Sequence, residues 1–387
     1  MKKYNFDKII NRRSSSCVKW CGCEKELPMW IADMDFETLP EVIDAVRSKA
    51  AIGAYGYTML PKEYFSAYTL WWKDVHNVSL KEEWMIFSNG VVAALSSIIR
   101  HVTNVGDQIL IQSPVYNCFY SSILDNNRKL ISSDLVYENG KYHIDFKDLE
   151  QKLSNPKTVM MIICNPHNPI GNAWTKEELT KIADLCIKYN VMIISDEIHC
   201  DFVNPNESYV PFFSLDKKYH ENAISCISTS KMFNLAGLKA SCIIVPNKEL
   251  FDKVSNGINV DHVGSPNYFA VEACIAALTY GKEWVKELNE YIYENKQYVL
   301  DYVKENNLDI HIVPSNSTYL LWIDFSKYTS DSEKFTEDLR KETGLYLCSG
   351  LKYGQNGKSF ARMNVATPRV NVVDAMARLD RFLKELK

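Results

Sequence analysis

The 387-residue sequence lacks long apolar runs, an excess of basic charge and an N-terminal secretion signal. No apolar stretch approaches the roughly 20 residues that a membrane-spanning helix needs. The net charge of −4 gives no reason to expect nucleic acid or an anionic membrane surface as a partner. The first seven residues, MKKYNFD, turn polar where a signal peptide would be apolar. These absences predict a cytoplasmic, water-soluble protein that binds neither membranes nor nucleic acid.

The cysteines also lack the arrangement of a disulfide framework or a zinc site. Their number, eleven, is odd, and most lie in apolar segments such as residues 161–164. This distribution favours buried free thiols in a reducing compartment. Cys21 and Cys23 are close together, but no second Cys or His pair follows at zinc spacing. We therefore predict no metal site.

Short apolar runs alternate with longer helix-like stretches in the middle of the chain. Residues 175–178, TKEE, form a capping-box pattern that begins one of these helices. Strands that alternate with helices and are apolar throughout predict a doubly wound, mostly parallel sheet covered on both faces. The predicted strands are residues 84–87, 108–112, 159–163, 191–195, 223–227 and 242–245.

The C-terminal part has a different pattern, and the length of the chain favours two domains. Residues 318–325 and 362–365 are predicted strands, and residues 372–386 a closing amphipathic helix. This pattern predicts a smaller α+β domain. We predict a large domain over residues 48–285 and a small domain made of residues 1–47 and 286–387.

Four polar or flexible residues follow the predicted strands of the large domain, at the edge where ligands bind in such sheets. Gly90 precedes a helix and offers backbone N–H groups to a phosphate. Asn168 lies in the loop CNPHNPIG, and Lys231 follows the strand 223–227. Asp196 follows so apolar a strand that it needs a cation or several hydrogen-bond donors to stay ionised. Taken singly, each residue also fits an ordinary turn or a solvated charge.

Together, these four residues match the requirements of a pyridoxal phosphate (PLP) site. A lysine amine joins the cofactor aldehyde covalently, and a carboxylate keeps the pyridine nitrogen protonated so that the ring accepts electrons. A helix N-terminus and hydroxyl groups hold the phosphate. The sequence therefore predicts PLP as the cofactor.

Several motifs along nearly the whole chain carry a family resemblance. They include MWIADMDF at 29–36, YGYT at 55–58, GVVAAL at 90–95, SDEIH at 195–199, SKMFNLAGL at 230–238 and RMNVATPR at 362–369. The chain resembles the fold-type I PLP enzymes of the class I/II aminotransferase superfamily. Within them it is most similar to the MalY/PatB-type C–S lyases, which are cystathionine and cysteine-S-conjugate β-lyases.

The resemblance implies roles for individual residues around the cofactor. It makes Lys231 the covalent attachment point and general base, Asp196 the partner of the pyridine nitrogen and Tyr116 the ring that stacks on the pyridine. Lys239 matches a phosphate ligand of many aminotransferases, although it also fits a surface lysine. The other implied cofactor ligands are Gly90, Val91, Asn168, His199, Ser228, Ser230 and Tyr57.

The resemblance also implies how the substrate and a second subunit bind. Arg362 matches the arginine that holds the substrate carboxylate in a bidentate fork. Ala32 and Tyr57 complete the implied substrate contacts, and Tyr57 reaches the phosphate of the neighbouring subunit in a homodimer. Asn89 and Asn316 depart from the family pattern, at the phosphate turn and before the strand 318–325.

The implied reaction is β-elimination from cysteine thioethers, including cystathionine, which releases a thiol, pyruvate and ammonia. An aminotransferase is the alternative, because it uses the same residues up to the step at which the two reactions diverge. A non-catalytic PLP-binding regulator is a third hypothesis. The family also implies regulatory protein partners, which the sequence does not identify.

Overall fold

The chain forms two main sheets and a set of helices around them. The computed structural model describes residues 3–386. Met1, Lys2 and Lys387, which belong to the predicted small domain, lie outside the described residues. The helices are α1 (Pro40–Ala51), α2 (Lys62–His76), α3 (Val91–Val102), α4 (Asn117–Leu124), α5 (Phe146–Leu153), α6 (Lys176–Lys188), α7 (Thr229–Met232), α8 (Lys248–Val260), α9 (Ala270–Tyr280), α10 (Lys282–Glu305), α11 (Ser332–Thr343) and α12 (Arg369–Glu385). The strands are β1 (Leu27–Pro28), β2 (Met85–Ser88), β3 (Gln108–Ile111), β4 (Lys129–Ser132), β5 (Val136–Glu138), β6 (Lys141–His143), β7 (Thr158–Cys164), β8 (Met192–Asp196), β9 (Ala223–Ile227), β10 (Ser241–Ile244), β11 (His311–Ile312), β12 (Leu320–Asp324), β13 (Leu345–Tyr346), β14 (Cys348–Ser349) and β15 (Phe360–Asn364).

The larger sheet has seven strands in the order β2-β10-β9-β8-β7-β3-β4. Strand β10 is antiparallel to both of its neighbours, and the other pairs are parallel. The prediction of a mostly parallel, doubly wound sheet is confirmed, and all six predicted strands lie within one residue of their observed bounds. Strand β4 was not predicted; it is an edge strand whose residues are partly or fully exposed.

Helices cover both faces of this sheet, as its apolar strands require. Alternate residues of β3 point to opposite faces: Ile109 and Ile111 join one apolar cluster with α3, α4 and α8, whereas Leu110 joins the other. That second cluster includes Leu179 and Ile182 of α6. Helix α6 begins with the predicted capping box, which the structure confirms. The sheet is therefore buried on both sides, which leaves its strand ends as the accessible edge.

The smaller sheet has four antiparallel strands in the order β11-β12-β15-β14. It confirms the two strands predicted near residues 318–325 and 362–365. Helix α12 confirms the closing helix but begins three residues earlier than predicted, directly after Pro368. Proline fits the N-terminal end of a helix, because the backbone N–H that it lacks would have no partner within the helix there.

The N-terminal residues contact the C-terminal part of the chain. Strand β1 pairs in parallel with β13, and the carboxylate of Glu287 in α10 accepts hydrogen bonds from the backbone N–H groups of Lys3 and Tyr4 at 2.8 and 3.0 Å. The domain division at residues 47/48 and 285/286 stays a prediction. No helix of the described residues 3–386 is both long enough and apolar enough to cross a membrane.

Candidate active site

A cavity of about 720 Å³ lies where the carboxyl ends of β7 and β8 meet the smaller sheet. Its walls come from the segment before α1, the first turns of α3 and α4, the turn around α7 and strand β15. The structure brings most of the predicted site residues into this one space. Those that line it are Ala32, Gly90, Val91, Tyr116, Asn168, Asp196, His199, Ser230, Lys231, Lys239 and Arg362.

Lys231 lies in the short helix α7, directly after β9, with its ammonium group turned into the cavity. Ser228 precedes the helix and its hydroxyl oxygen accepts the N–H of Ser230 at 3.0 Å, which fixes the turn. Lys231 Nζ donates to the carbonyl oxygen of Ala32 at 2.7 Å. Burial lowers the pKa of Lys231 to about 8, against the opposing effect of the Asp33 charge. The amine therefore loses its proton more readily than a surface lysine does.

Asp196 ends strand β8 and faces the same cavity. Burial raises the pKa of its carboxyl group to about 7, although the N–H of Ile198, at 3.2 Å from Oδ1, and the charge of Lys231 both act in the opposite direction. Within residues 3–386 no side chain forms an ion pair with Asp196. The site thus holds a buried carboxylate that a cationic ligand would stabilise.

Arg362 projects from β15, the neighbour of β12 in the smaller sheet. Its Nη1 donates to Asn168 Oδ1 at 2.9 Å and its Nη2 to the carbonyl oxygen of Trp30 at 2.8 Å. The guanidinium carbon lies 5.0 Å from the centre of the Tyr353 ring. Arg362 is only 4% exposed, yet its Nε has no partner among the described residues. A guanidinium with unused donors is suited to a ligand carboxylate.

The turn before α3 is suited to bind an anion. Gly90 is the N-cap residue, with φ +115° and ψ 155°, and no side chain caps the helix. The first N–H groups of α3 are therefore without a side-chain acceptor and lie at the positive end of the helix dipole. Asn89, a departure from the family pattern, also lines the cavity, and its Oδ1 is buried without a partner.

Two ring side chains complete the wall around Asp196. Burial raises the pKa of Tyr116 and holds that of His199 well below its ordinary value, so both rings are neutral near pH 7. The His199 ring packs against Tyr319, with ring centres 5.7 Å apart. Its Nδ1 is buried and has no partner within the described chain. It is therefore available to a ligand.

Three predicted residues have a different placement from the main set. Ser228 does not line the cavity, because its hydroxyl lies 2.7 Å from the carbonyl oxygen of Ala240 and caps α7. Lys239 lines the cavity but is exposed, and Tyr57 is fully exposed and outside the cavity. The roles of all three stay predictions.

Several residues at or behind the cavity had no role predicted from the sequence. A buried network behind the segment 29–36 positions Ala32: Lys19 Nζ donates to Asp35 Oδ2 at 2.7 Å and to the carbonyl oxygen of Asp33 at 2.9 Å. Asp33 and Asp35 belong to the motif MWIADMDF and Lys19 lies ten residues before it, but this spacing gave no sign of a shared ion pair. The cavity wall also includes Trp30, Cys118, Cys348, Lys352 and Tyr353.

The eleven cysteines are free, and seven of them are buried. Within residues 3–386, one group of side chains has metal-ligating atoms close together: His76, Cys200 and Asp201. It lies outside the cavity, and Asp201 Oδ1 is already within 2.8 Å of His76 Nε2 and accepts the Trp71 ring N–H at 2.9 Å. Hydrogen bonding within the protein accounts for this group.

Comparison with known proteins gives consistent relatives over the whole chain. The chain is 35% identical over 385 residues to the cystathionine β-lyase PatB of Bacillus subtilis, covering 98% of this chain and 100% of that protein. It is similar to the structure of cystalysin from Treponema denticola, which contains a pyridoxal 5′-phosphate cofactor, with a TM-score of 0.96, 30% identity and coverage of 99% and 100%.

A PLP-bound C–S lyase from Staphylococcus hominis is similar too, with a TM-score of 0.92, 31% identity and 98% of each chain covered. These similarities confirm the fold-type I architecture. The sequence model of the family described as aminotransferase class I and II matches residues 25–379. The chain therefore belongs to the class I and II aminotransferase family.

Proposed function

We propose that the chain is a PLP-dependent C–S lyase that acts on cysteine thioethers by β-elimination. The balanced reaction consumes one thioether and one water and yields the thiol, pyruvate and ammonium. One observation carries the proposal: the partly buried amine of Lys231, the buried carboxyl group of Asp196 and the buried guanidinium of Arg362 face one cavity. The relatives named cystathionine β-lyase and C–S lyase support this choice within the family.

The cavity residues fit PLP in their charge and their unused donors. Among the described residues, Asp196 has no ion-pair partner, the first turn of α3 has no side-chain acceptor, and His199 Nδ1 has no hydrogen-bond partner. In bound PLP, the protonated pyridine nitrogen would pair with Asp196, the phosphate with the first turn of α3, and a ring oxygen with His199 Nδ1. When bound, PLP provides an electron-accepting ring for the bond changes at the substrate Cα.

The protein's own residues then bind the substrate and move its protons. Arg362 binds the α-carboxylate. Asn168 accepts a hydrogen bond from Arg362 and so limits the orientation of the guanidinium group. Lys231 takes the proton from Cα, a role that its lowered pKa favours. Asp196, when ionised, keeps a proton on the facing ring nitrogen. Tyr116, at the start of α4, would stack on the cofactor ring and exclude water.

An aminotransferase would use the same residues, so the test must separate the two reactions. We expect purified enzyme with L-cystathionine and no keto acid to release pyruvate continuously over many turnovers. An aminotransferase would instead leave the C–S bond intact, release no pyruvate, convert one equivalent of cystathionine per site to its 2-oxo acid, and resume only when 2-oxoglutarate is added. The matched control is Lys231→Ala, which should release no pyruvate, and a PLP-binding regulator would behave like this variant.

The predicted assembly is part of the same proposal. We infer a homodimer in the cytoplasm, in which Tyr57 of each subunit reaches the cofactor phosphate of the other. Support comes from the exposed segment that carries Tyr57: Ile52, Tyr55 and Met59 are also exposed, and such adjacent apolar side chains suit a protein interface. A small amino acid is the expected substrate in each site.

A further inference from the structure

Lys352 is a cavity-lining cation to which the proposed function gives no role. It lies in the short turn Gly350–Tyr353 and its side chain is exposed. No residue in the described range 3–386 forms a hydrogen bond or an ion pair with its ammonium group. Its chain neighbour, Tyr353, is the buried ring beside the guanidinium of Arg362. Lys352 therefore lies next to the part of the cavity that binds the substrate.

The backbone around Lys352 is firmly held, although its side chain is free. The carbonyl oxygen of Tyr353 accepts the Val115 N–H at 2.9 Å and the Tyr120 hydroxyl at 2.8 Å. On the other side, Gly350 packs so closely that an added Cβ would lie 2.2 Å from the carbonyl oxygen of Gly357. The turn thus fixes where the lysine side chain begins, which lowers the entropy cost of binding a ligand there.

The described side chains that line the cavity include no acidic group to neutralise the charge of Lys352. Its lining contains four basic side chains, Lys231, Lys239, Lys352 and Arg362, and one acidic side chain, Asp196. In the proposed reaction, Lys231 holds the cofactor and then takes the Cα proton, Lys239 is near the phosphate and Arg362 binds the α-carboxylate. Asp196 faces the ring nitrogen. A substrate with one carboxylate leaves Lys352 unmatched, whereas a second carboxylate would match it.

We propose that Lys352 binds a carboxylate on the leaving group of the thioether. The preferred substrates are then cysteine thioethers that carry a carboxylate beyond the sulfur atom, and the released thiol keeps that carboxylate. This inference rests on the proposed function, because it defines the substrate class of the same site. Lys352 acts on specificity alone, since the bond changes occur at Cα and Cβ.

The first test compares two substrates of the same shape. S-Carboxyethyl-L-cysteine and S-carbamoylethyl-L-cysteine differ only in a carboxylate and a neutral amide. We expect the holoenzyme to favour the carboxylate in kcat/KM by about three- to fivefold, the range of a partly exposed ion pair. Lys352→Gln should abolish this preference and Lys352→Glu should reverse it. Lys358→Gln, which removes an exposed lysine outside the cavity wall, should leave it unchanged.

A second test measures binding without turnover. Thiodipropionate has both carboxylates and the sulfur atom but no amino group, so it cannot react with the cofactor. In its monoamide, a neutral amide replaces one of the two carboxylates. Binding of each to the holoenzyme is followed by tryptophan fluorescence, because Trp30 lines the cavity. We expect tighter binding of the dicarboxylate, by about the same three- to fivefold factor, and loss of that difference in Lys352→Gln.

The two tests separate the inference from the proposed function. If thioethers are turned over but the carboxylate preference is absent or survives in Lys352→Gln, the role of Lys352 is wrong and the lyase assignment stands. If no thioether is turned over while the thiodipropionate preference depends on Lys352, the lyase assignment is wrong and the carboxylate site stands.

Discussion

Burial is the largest cause of the shifted pKa values of both Asp196 and Lys231. Removal of water raises the pKa of the carboxyl group to about 7 and lowers that of the amine to about 8. Each group therefore titrates near neutral pH, several units from a solvated counterpart. A cation beside Asp196 would restore its charge, and this is the electrostatic reason to expect a pyridinium there.

Asp196→Asn should keep bound cofactor but lose most of the turnover. The amide cannot compensate a positive ring nitrogen, and a charge-assisted hydrogen bond of about 1.5–3 kcal/mol corresponds to a loss of roughly 10- to 150-fold in kcat. Absorbance of the bound cofactor and steady-state release of pyruvate measure the two effects. Nearly normal kcat in this variant would remove Asp196 from the mechanism.

The raised pKa of Asp196 also predicts a pH dependence of stability in the cofactor-free protein. A carboxyl group that holds its proton more tightly when folded contributes most below its unfolded pKa, near 3.8, and this contribution is lost as the pH rises to about 7. At 1.36 kcal/mol per pKa unit, the loss is on the order of 4 kcal/mol. Urea unfolding of Asp196→Asn should therefore show a gain in stability, relative to the unsubstituted protein, that is larger at pH 8 than at pH 4. An equal difference at both pH values would contradict the raised pKa.

The sequence was sufficient to place Lys231, Asp196 and Arg362 in one site, because they follow strands or belong to specific motifs. It was not sufficient for Lys352 and Tyr353. These two residues lie in an irregular turn without strand or helix periodicity, about 120 residues beyond Lys231 in the chain. The pairing of β14 with β15 and the hydrogen bonds from Val115 and Tyr120 to the Tyr353 carbonyl oxygen bring that turn to the cavity.

At the scale of single elements, burial decided which strands the sequence could reveal. Strands β7, β8 and β9 are covered on both faces, so nearly every residue is apolar and the runs are visible in the sequence. The edge strand β4 and the two-residue strands β1, β13 and β14 have no such signal. Their pairing depends on tertiary contacts that no local pattern encodes.

The turn before α3 gives a prediction at this same scale. Gly90 has φ +115° and ψ 155°, a conformation that is essentially restricted to glycine. Gly90→Ala should therefore weaken cofactor retention through a displaced turn, with a strain cost of about 1–3 kcal/mol. Equilibrium dialysis of PLP measures retention. Gly237→Ala is the matched control, since Gly237 has an ordinary φ and open space around its Cβ position, and equal retention by both variants would contradict the argument.

At the scale of the whole molecule, the segment around Tyr57 takes no part in the cavity of its own subunit. Its tyrosine is fully exposed and does not reach the cavity of its own subunit. In the proposed homodimer, each site combines Lys231 of one subunit with Tyr57 of the other. Such a composite site cannot be completed by a monomer, and this property leads to a test with two inactive variants.

We expect Tyr57→Ala and Lys231→Ala to be nearly inactive alone and to regain activity when unfolded together and refolded as a mixture. A mixed dimer contains one site with both native residues and one site with neither. Equal amounts give mixed dimers in about half of the population, so activity should return to about a quarter of the unsubstituted level. Each variant refolded alone is the control. A mixture that stays inactive while mixed dimers are present would show that Tyr57 does not serve the partner's site.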